Sequence, residues 1–91
     1  VKLEHPLVDF AVPRVAWNGV PQSLLTVWRL RKGKALLSCR AFSHPAGWEL
    51  RIDYDGSLVE AQSCGSIEEL RATAGAWQEC AARAGWTDER A

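Results

Sequence analysis

Residues 47–62, GWELRIDYDGSLVEAQ, alternate apolar and polar side chains on either side of Asp55-Gly56. An Asp-Gly pair suits a two-residue type I′ turn, because both central positions need positive φ. The turn sets Tyr54 opposite Ser57, Ile52 opposite Val59, Leu50 opposite Ala61 and Trp48 opposite Ser63 on one face. The other face carries Asp53–Leu58, Arg51–Glu60 and Glu49–Gln62. A slip of one residue would mix the two sets, so the pattern specifies the register.

The same counting applies to LLTVWRLRKGKALLSCRAF. A turn at Lys32-Gly33 predicts Leu30 opposite Ala35, Trp28 opposite Leu37, Thr26 opposite Cys39 and Leu24 opposite Ala41. A glycine bulge at Gly33 would shift that hairpin. The connection HPAG (44 to 47) then predicts Ala41 opposite Leu50 and Cys39 opposite Ile52. The apolar faces of all four strands agree, which predicts a four-stranded meander over residues 23–64.

A helix is predicted over residues 66–85. Ser66 with Glu69 three residues on has the capping-box form, and Gly85 suits the position just past a helix end. Trp86 then supplies the hydrophobic contact of a Schellman ending, toward Ala81. Ile67, Leu70, Ala74, Trp77, Ala81 and Ala84 form one stripe at helical spacing. Residues 87–91 are expected to fray.

Residues 1–22 differ. Pro6, Pro13 and Pro21 exclude a continuous helix, yet Leu7, Val8, Phe10, Val12, Val15 and Trp17 are too apolar for a disordered tail. An extended arm is expected, with one short edge strand near Val15 to Trp17 and a turn at Asn18-Gly19. The predicted class is α+β: a single domain, residues 1–91, with a four-stranded antiparallel meander, one C-terminal helix packed on one face, and this proline-containing arm.

Composition narrows the function classes. Eleven basic and eleven acidic residues cancel, so no general attraction to nucleic acid or anionic lipid is expected. Three cysteines without a tight spacing do not make a disulfide framework. They suggest free thiols in a reducing, cytoplasmic setting. No apolar run is long enough to span a membrane, and the first twenty residues lack a signal-peptide layout.

Catalytic motifs are absent from the pattern, and no cofactor or metal is expected. Cys64 lies just before the helix, where the positive end of the dipole would lower a thiol pKa. It has no histidine placed beside it as a base, so a small buried side chain is the favoured reading. Cys39, His44, Cys64 and Cys80 suffice in number for zinc but lack the close pair typical of such sites. His44-Pro45 reads as turn chemistry. The chain is therefore expected to be non-enzymatic.

The outer face of the meander offers the candidate contact surface. Leu25, Arg40, Arg51 and Glu60 are predicted in one cross-strand row, with Val27, Ser38, Asp53 and Leu58 in the next. Leu36, Phe42, Arg29 and Arg31 complete the face. Two adjacent arginines repel unless an acid, an anion or a partner separates them. The expected function is a small binding or interaction module, a homo-oligomer or a protein partner's target, joined through this face and the arm. Trp17, Leu25, Val27 and Phe42 would be its anchors, with Arg40 and Arg51 at polar positions. The alternative is weak single-stranded nucleic-acid binding through Arg29, Arg31, Arg40, Arg51 and Phe42, disfavoured by zero net charge. In the plainer reading Glu49, Asp53 and Glu60 neutralise the arginines.

The Gly47-Trp48-Glu49-Leu50-Arg51 strand, the Asp55-Gly56 turn and the helix closing on Gly85-Trp86 resemble short uncharacterised bacterial proteins. The likeness covers residues 47–86 and implies a packing signature with no function attached. The ββββα order also resembles the positive-cofactor-type and PUR-type nucleic-acid binders, which pair as dimers; at the level of fold that implies a dimeric sheet.

Overall fold

The computed structural model describes residues 16–89, so the expectations for the arm before residue 16 and for the last two residues lie outside it. The chain forms β1 (Ser23–Lys32), β2 (Ala35–His44), β3 (Gly47–Tyr54), β4 (Ser57–Cys64), α1 (Ile67–Arg83) and β5 (Thr87–Asp88). The strands make one antiparallel sheet in the order β4-β3-β2-β1-β5. The α+β class, the meander and the C-terminal helix are as the pattern predicts. Among the described residues no helix is long and apolar enough to cross a membrane.

The β2–β3 register is the predicted one, with Ala41 opposite Leu50, Cys39 opposite Ile52 and Arg40 opposite Arg51. Its connection is tighter than expected. The strands continue to His44 and Gly47 and leave only Pro45-Ala46 as the turn, with His44 Nδ1 accepting the Ala46 N–H at 3.0 Å. Asp55 and Gly56 both have positive φ, 50° and 87°, as a type I′ turn requires.

A displaced turn and three register shifts correct the predicted ladder. In the first hairpin the turn residues are Gly33-Lys34, with positive φ only at the glycine, a II′ arrangement. Leu30 therefore faces Leu37, and Trp28 faces Cys39. Beyond Trp28 two bulges, at Val27 and at Leu24, turn the pattern over, so that Thr26 faces Arg40 and Leu25 faces Ala41. A bulge sets two residues against one and brings an extra side chain to the same side. Val27 and Trp28 consequently both enter the core, and Leu25 packs against it. Leu25 and Val27 are thus not outer-face anchors.

The third shift is at Val59. Tyr54–Ser57 and Asp53–Leu58 pair as predicted, but Ile52 faces Glu60, Leu50 faces Gln62 and Trp48 faces Cys64. Ala61 moves to the outer face and Glu60 leaves the arginine row.

The core lies between the sheet and α1. Trp28, Cys39, Ala41, Trp48, Leu50, Cys64, Leu70 and Ala74 are buried there, with Ile67, Trp77, Ala81 and Trp86 packed against them. Trp28 Nε1 donates to the Ala74 carbonyl at 2.9 Å, which ties the middle of the helix to β1. Ser66 Oγ accepts the Glu69 N–H at 3.1 Å, and Glu69 Oε1 accepts the Gly65 N–H at 2.9 Å, a capping box displaced by one residue. At the other end Gly85 N–H donates to Ala82 and Trp86 N–H to Ala81, the two bonds of a Schellman motif.

The segment after Trp86 does not fray as expected. Thr87 and Asp88 pair with Arg31 and Leu30 to cover part of the β1 edge. Glu89 then bridges Arg29 at 3.3 Å and Arg31 at 3.7 Å.

Candidate functional site

The outer face keeps the predicted Arg40–Arg51 pair and shows how its charges are accommodated. Arg40 lies 3.5 Å from Asp53 Oδ2 and donates to Ser23 Oγ at 3.2 Å, while Arg51 Nε meets Glu49 Oε1 at 2.9 Å. Both guanidinium carbons sit over the Phe42 ring, at 4.9 Å and 4.1 Å from its centroid. The ring's negative face attracts both cations. Two of the three acids expected to neutralise the arginines do so, Glu49 and Asp53. Glu60 does not, because the Val59 bulge turns it toward the helix side.

Phe42 is only 8% exposed. A base can stack only on an open ring face, and this ring carries two side chains. Arg29 and Arg31 are half-exposed but share Glu89. Of the expected anchors, Trp17 alone is well exposed, at 40%, with its ring 6.5 Å from that of His44. The site residues thus divide. Arg40, Phe42 and Arg51 form one cluster, Arg29 and Arg31 another, Trp17 stands apart, and Leu25 and Val27 belong to the interior.

Cys39 and Cys64 are buried, whereas Cys80 is exposed on α1. Burial pushes the Cys39 thiol up to about 12, with the nearby Cys64 adding to the effect. Cys64 is raised too, by burial first and then by Glu69, against a lowering contribution from Thr73. The direction is opposite to the lowering expected from the helix terminus, and burial is the largest cause. Among the described residues no cluster of three or more His, Cys, Asp or Glu side chains is arranged to hold a metal.

Iodoacetamide on the folded protein near neutral pH is therefore expected to label Cys80 alone, read by mass spectrometry. Denaturant should release the other two thiols. The same burial has a pH consequence. The folded state holds the Cys39 proton more tightly than the unfolded state does, so stability is full below pH about 9 and falls as pH rises toward about 12. The slope is about 1.4 kcal/mol per pH unit for one such thiol, and Cys39→Ala should flatten it in alkaline denaturation curves.

The surface that alternation did not reveal is β4. Among the described residues it is an edge strand of the sheet, and seven of its eight residues, Ser57 to Ser63, are exposed. Leu58 is 56% and Val59 58% exposed, with Tyr54 beside them at 45%. Inward of this edge, between the sheet and the C-terminal half of α1, lies an open cavity of about 320 Å³. Leu37 and Ile52 line it from the sheet, Trp77 and Ala81 from the helix, and Val59 and Trp86 also border it. Glu60 and Cys80 bring the polar groups. The Tyr54 ring packs edge-on against Trp86, 5.9 Å between centroids. The sequence signal for this surface was the adjacent pair Leu58-Val59, which breaks alternation at the bulge.

Comparison with protein-family profiles, with curated proteins and with solved structures gives no match to this chain.

Proposed function

We propose that this chain is a small non-enzymatic interaction module that self-associates, and that the contact centres on the exposed end of the β3–β4 hairpin rather than on the Arg40–Phe42–Arg51 cluster. The observation that supports this reading is the exposure of Tyr54, Leu58 and Val59 together at one end of the β3–β4 hairpin. Large exposed apolar groups gathered at one hairpin end lose unfavourable water contact when a second surface covers them. Zero net charge removes the general repulsion between two copies. A two-fold contact would set the same patch of each copy against the other.

The Val59 bulge and the Glu60 charge matter to the form of that contact. Both are devices that oppose open-ended pairing of edge strands. The association is therefore side-chain packing around Leu58 and Val59 in a closed pair, not an extended sheet. Trp17, exposed at the sheet end where His44 lies, is a further aromatic available to a partner.

Sedimentation velocity at micromolar concentration is expected to show a dimer, and Leu58→Asp to convert it to a monomer with an unchanged circular dichroism spectrum. Leu58 is exposed in the single chain, so the aspartate leaves the fold intact. A clean monomer for the unsubstituted protein would overturn the reading. Salt-sensitive binding of a single-stranded oligonucleotide, abolished by Arg40 and Arg51 substitution, would favour the nucleic-acid alternative instead.

A further inference from the structure

The cavity beside β4 has a composition that suits one kind of ligand. Its walls are mostly apolar and include two indoles, Trp77 and Trp86. The only charged group among its lining residues is Glu60. That position is a product of the fold. Without the bulge at Val59, Glu60 would stand on the opposite face opposite Arg51; with it, Glu60 faces Ile52 on the helix side. The carboxylate thereby loses the arginine that the simple register would have provided. Arg40 and Arg51 take Asp53 and Glu49 as their acids.

We infer that this cavity is a binding site for a small organic cation, an amine or alkylammonium carried on an apolar or aromatic body. The body fills the space between Ile52, Ala81 and the indoles. The ammonium meets the Glu60 carboxylate, and aromatic faces attract a cation in addition to excluding water from it. A cavity of about 320 Å³ is near the lower end of ligand pockets and takes a molecule of about ten non-hydrogen atoms, on a liquid-water share of about 30 Å³ each. An anionic ligand of the same shape would meet a like charge at the mouth, and a neutral one would forgo the charge-assisted bond.

The site shares Val59 with the proposed self-association contact but is separable from it through Leu58. Leu58 projects from the outer face, opposite Asp53, and does not line the cavity. Phenethylamine is the probe, with phenethyl alcohol as the neutral counterpart and phenylpropionate as the anionic one. Binding is followed by the indole N–H resonances in proton–nitrogen spectra. Phenethylamine should shift Trp77 and Trp86 and leave Trp17 unmoved. Glu60→Gln should weaken it roughly tenfold, the low end of what a charged hydrogen bond contributes. Val59→Trp should block it by filling the space, and Leu58→Asp should leave it unchanged whatever the oligomeric state. Equal affinity for amine, alcohol and acid, no indole shift at all, or an unaltered affinity in Glu60→Gln would each overturn the inference.

Discussion

Replacing Trp28 with alanine is expected to destabilise the domain by about 4 kcal/mol, the usual scale for emptying a large aromatic site. Domains of this size have roughly 5–15 kcal/mol in total, so much of the stability is at stake. Trp28 is among the largest fully buried side chains, and its indole N–H bonds to the Ala74 carbonyl across the core. The alanine variant loses packing against β2 and leaves α1 without its polar tie to β1. Trp28→Phe separates the two contributions. It keeps most of the ring area, forfeits the hydrogen bond, and should cost about 1–2 kcal/mol. Urea unfolding followed by far-ultraviolet circular dichroism measures both. A Trp28→Ala midpoint close to that of the unsubstituted chain would remove the residue from its place as the link between sheet and helix.

Gly47→Ala is expected to cost about 3 kcal/mol, for a reason that no contact of Gly47 itself reveals. Gly47 has φ of 133°, and a Cβ there would lie 2.9 Å from the Cys64 carbonyl oxygen. The backbone conformation is one that side chains resist, and the obstructing atom is backbone, which cannot swing aside. The strand end at Cys64 and the helix cap at Ser66 would have to move with it. Gly75 makes the comparison. It lies within α1 with nothing within 4 Å of an added Cβ, so Gly75→Ala should stabilise by about 0.5–1 kcal/mol. The same chemical change thus acts in opposite directions at two sites in one chain. Thermal melts of the two variants test this directly, and a Gly47→Ala protein that melts with the unsubstituted one would refute the steric argument.

Local chemistry was legible wherever a few neighbouring residues settle the geometry. Asp55-Gly56 supplies the two positive φ values that its turn needs. Ser66, Glu69, Gly85 and Trp86 supply both ends of the helix. The β2–β3 register also followed from alternation, and it placed Arg40 opposite Arg51 correctly.

What escaped was the bulges. Leu24-Leu25, Val27-Trp28 and Leu58-Val59 are adjacent apolar pairs, and each lies at a register shift. Leu36-Leu37 and Ala41-Phe42 are also adjacent pairs, yet β2 runs through them without one. The difference is position in the sheet. A bulge in β2 would disturb hydrogen-bond ladders on both sides. Among the described residues one in β4 disturbs a single ladder, and one in β1 leaves little to lose on the side covered by the short β5. Sequence marks where a bulge can form, and strand order decides where it does.

The candidate surfaces divide along the same line. The Arg40–Asp53 pair joins diagonal neighbours across β2 and β3, and Arg51–Glu49 joins alternate residues of β3; both relations could be counted. The sharing of the Phe42 ring and the turning of Glu60 toward the helix could not. Each depends on where another element comes to rest. Alternation, turn residues and caps act over a few positions, so the sequence by itself determined the four strands, the helix and the β2–β3 register. The cavity and the exposed β4 edge arise because a helix lined with Ala74, Ala81 and Ala84 meets a sheet whose edge strand has slipped by one residue. That meeting joins residues far apart in the chain, and only the packed tertiary structure decides it.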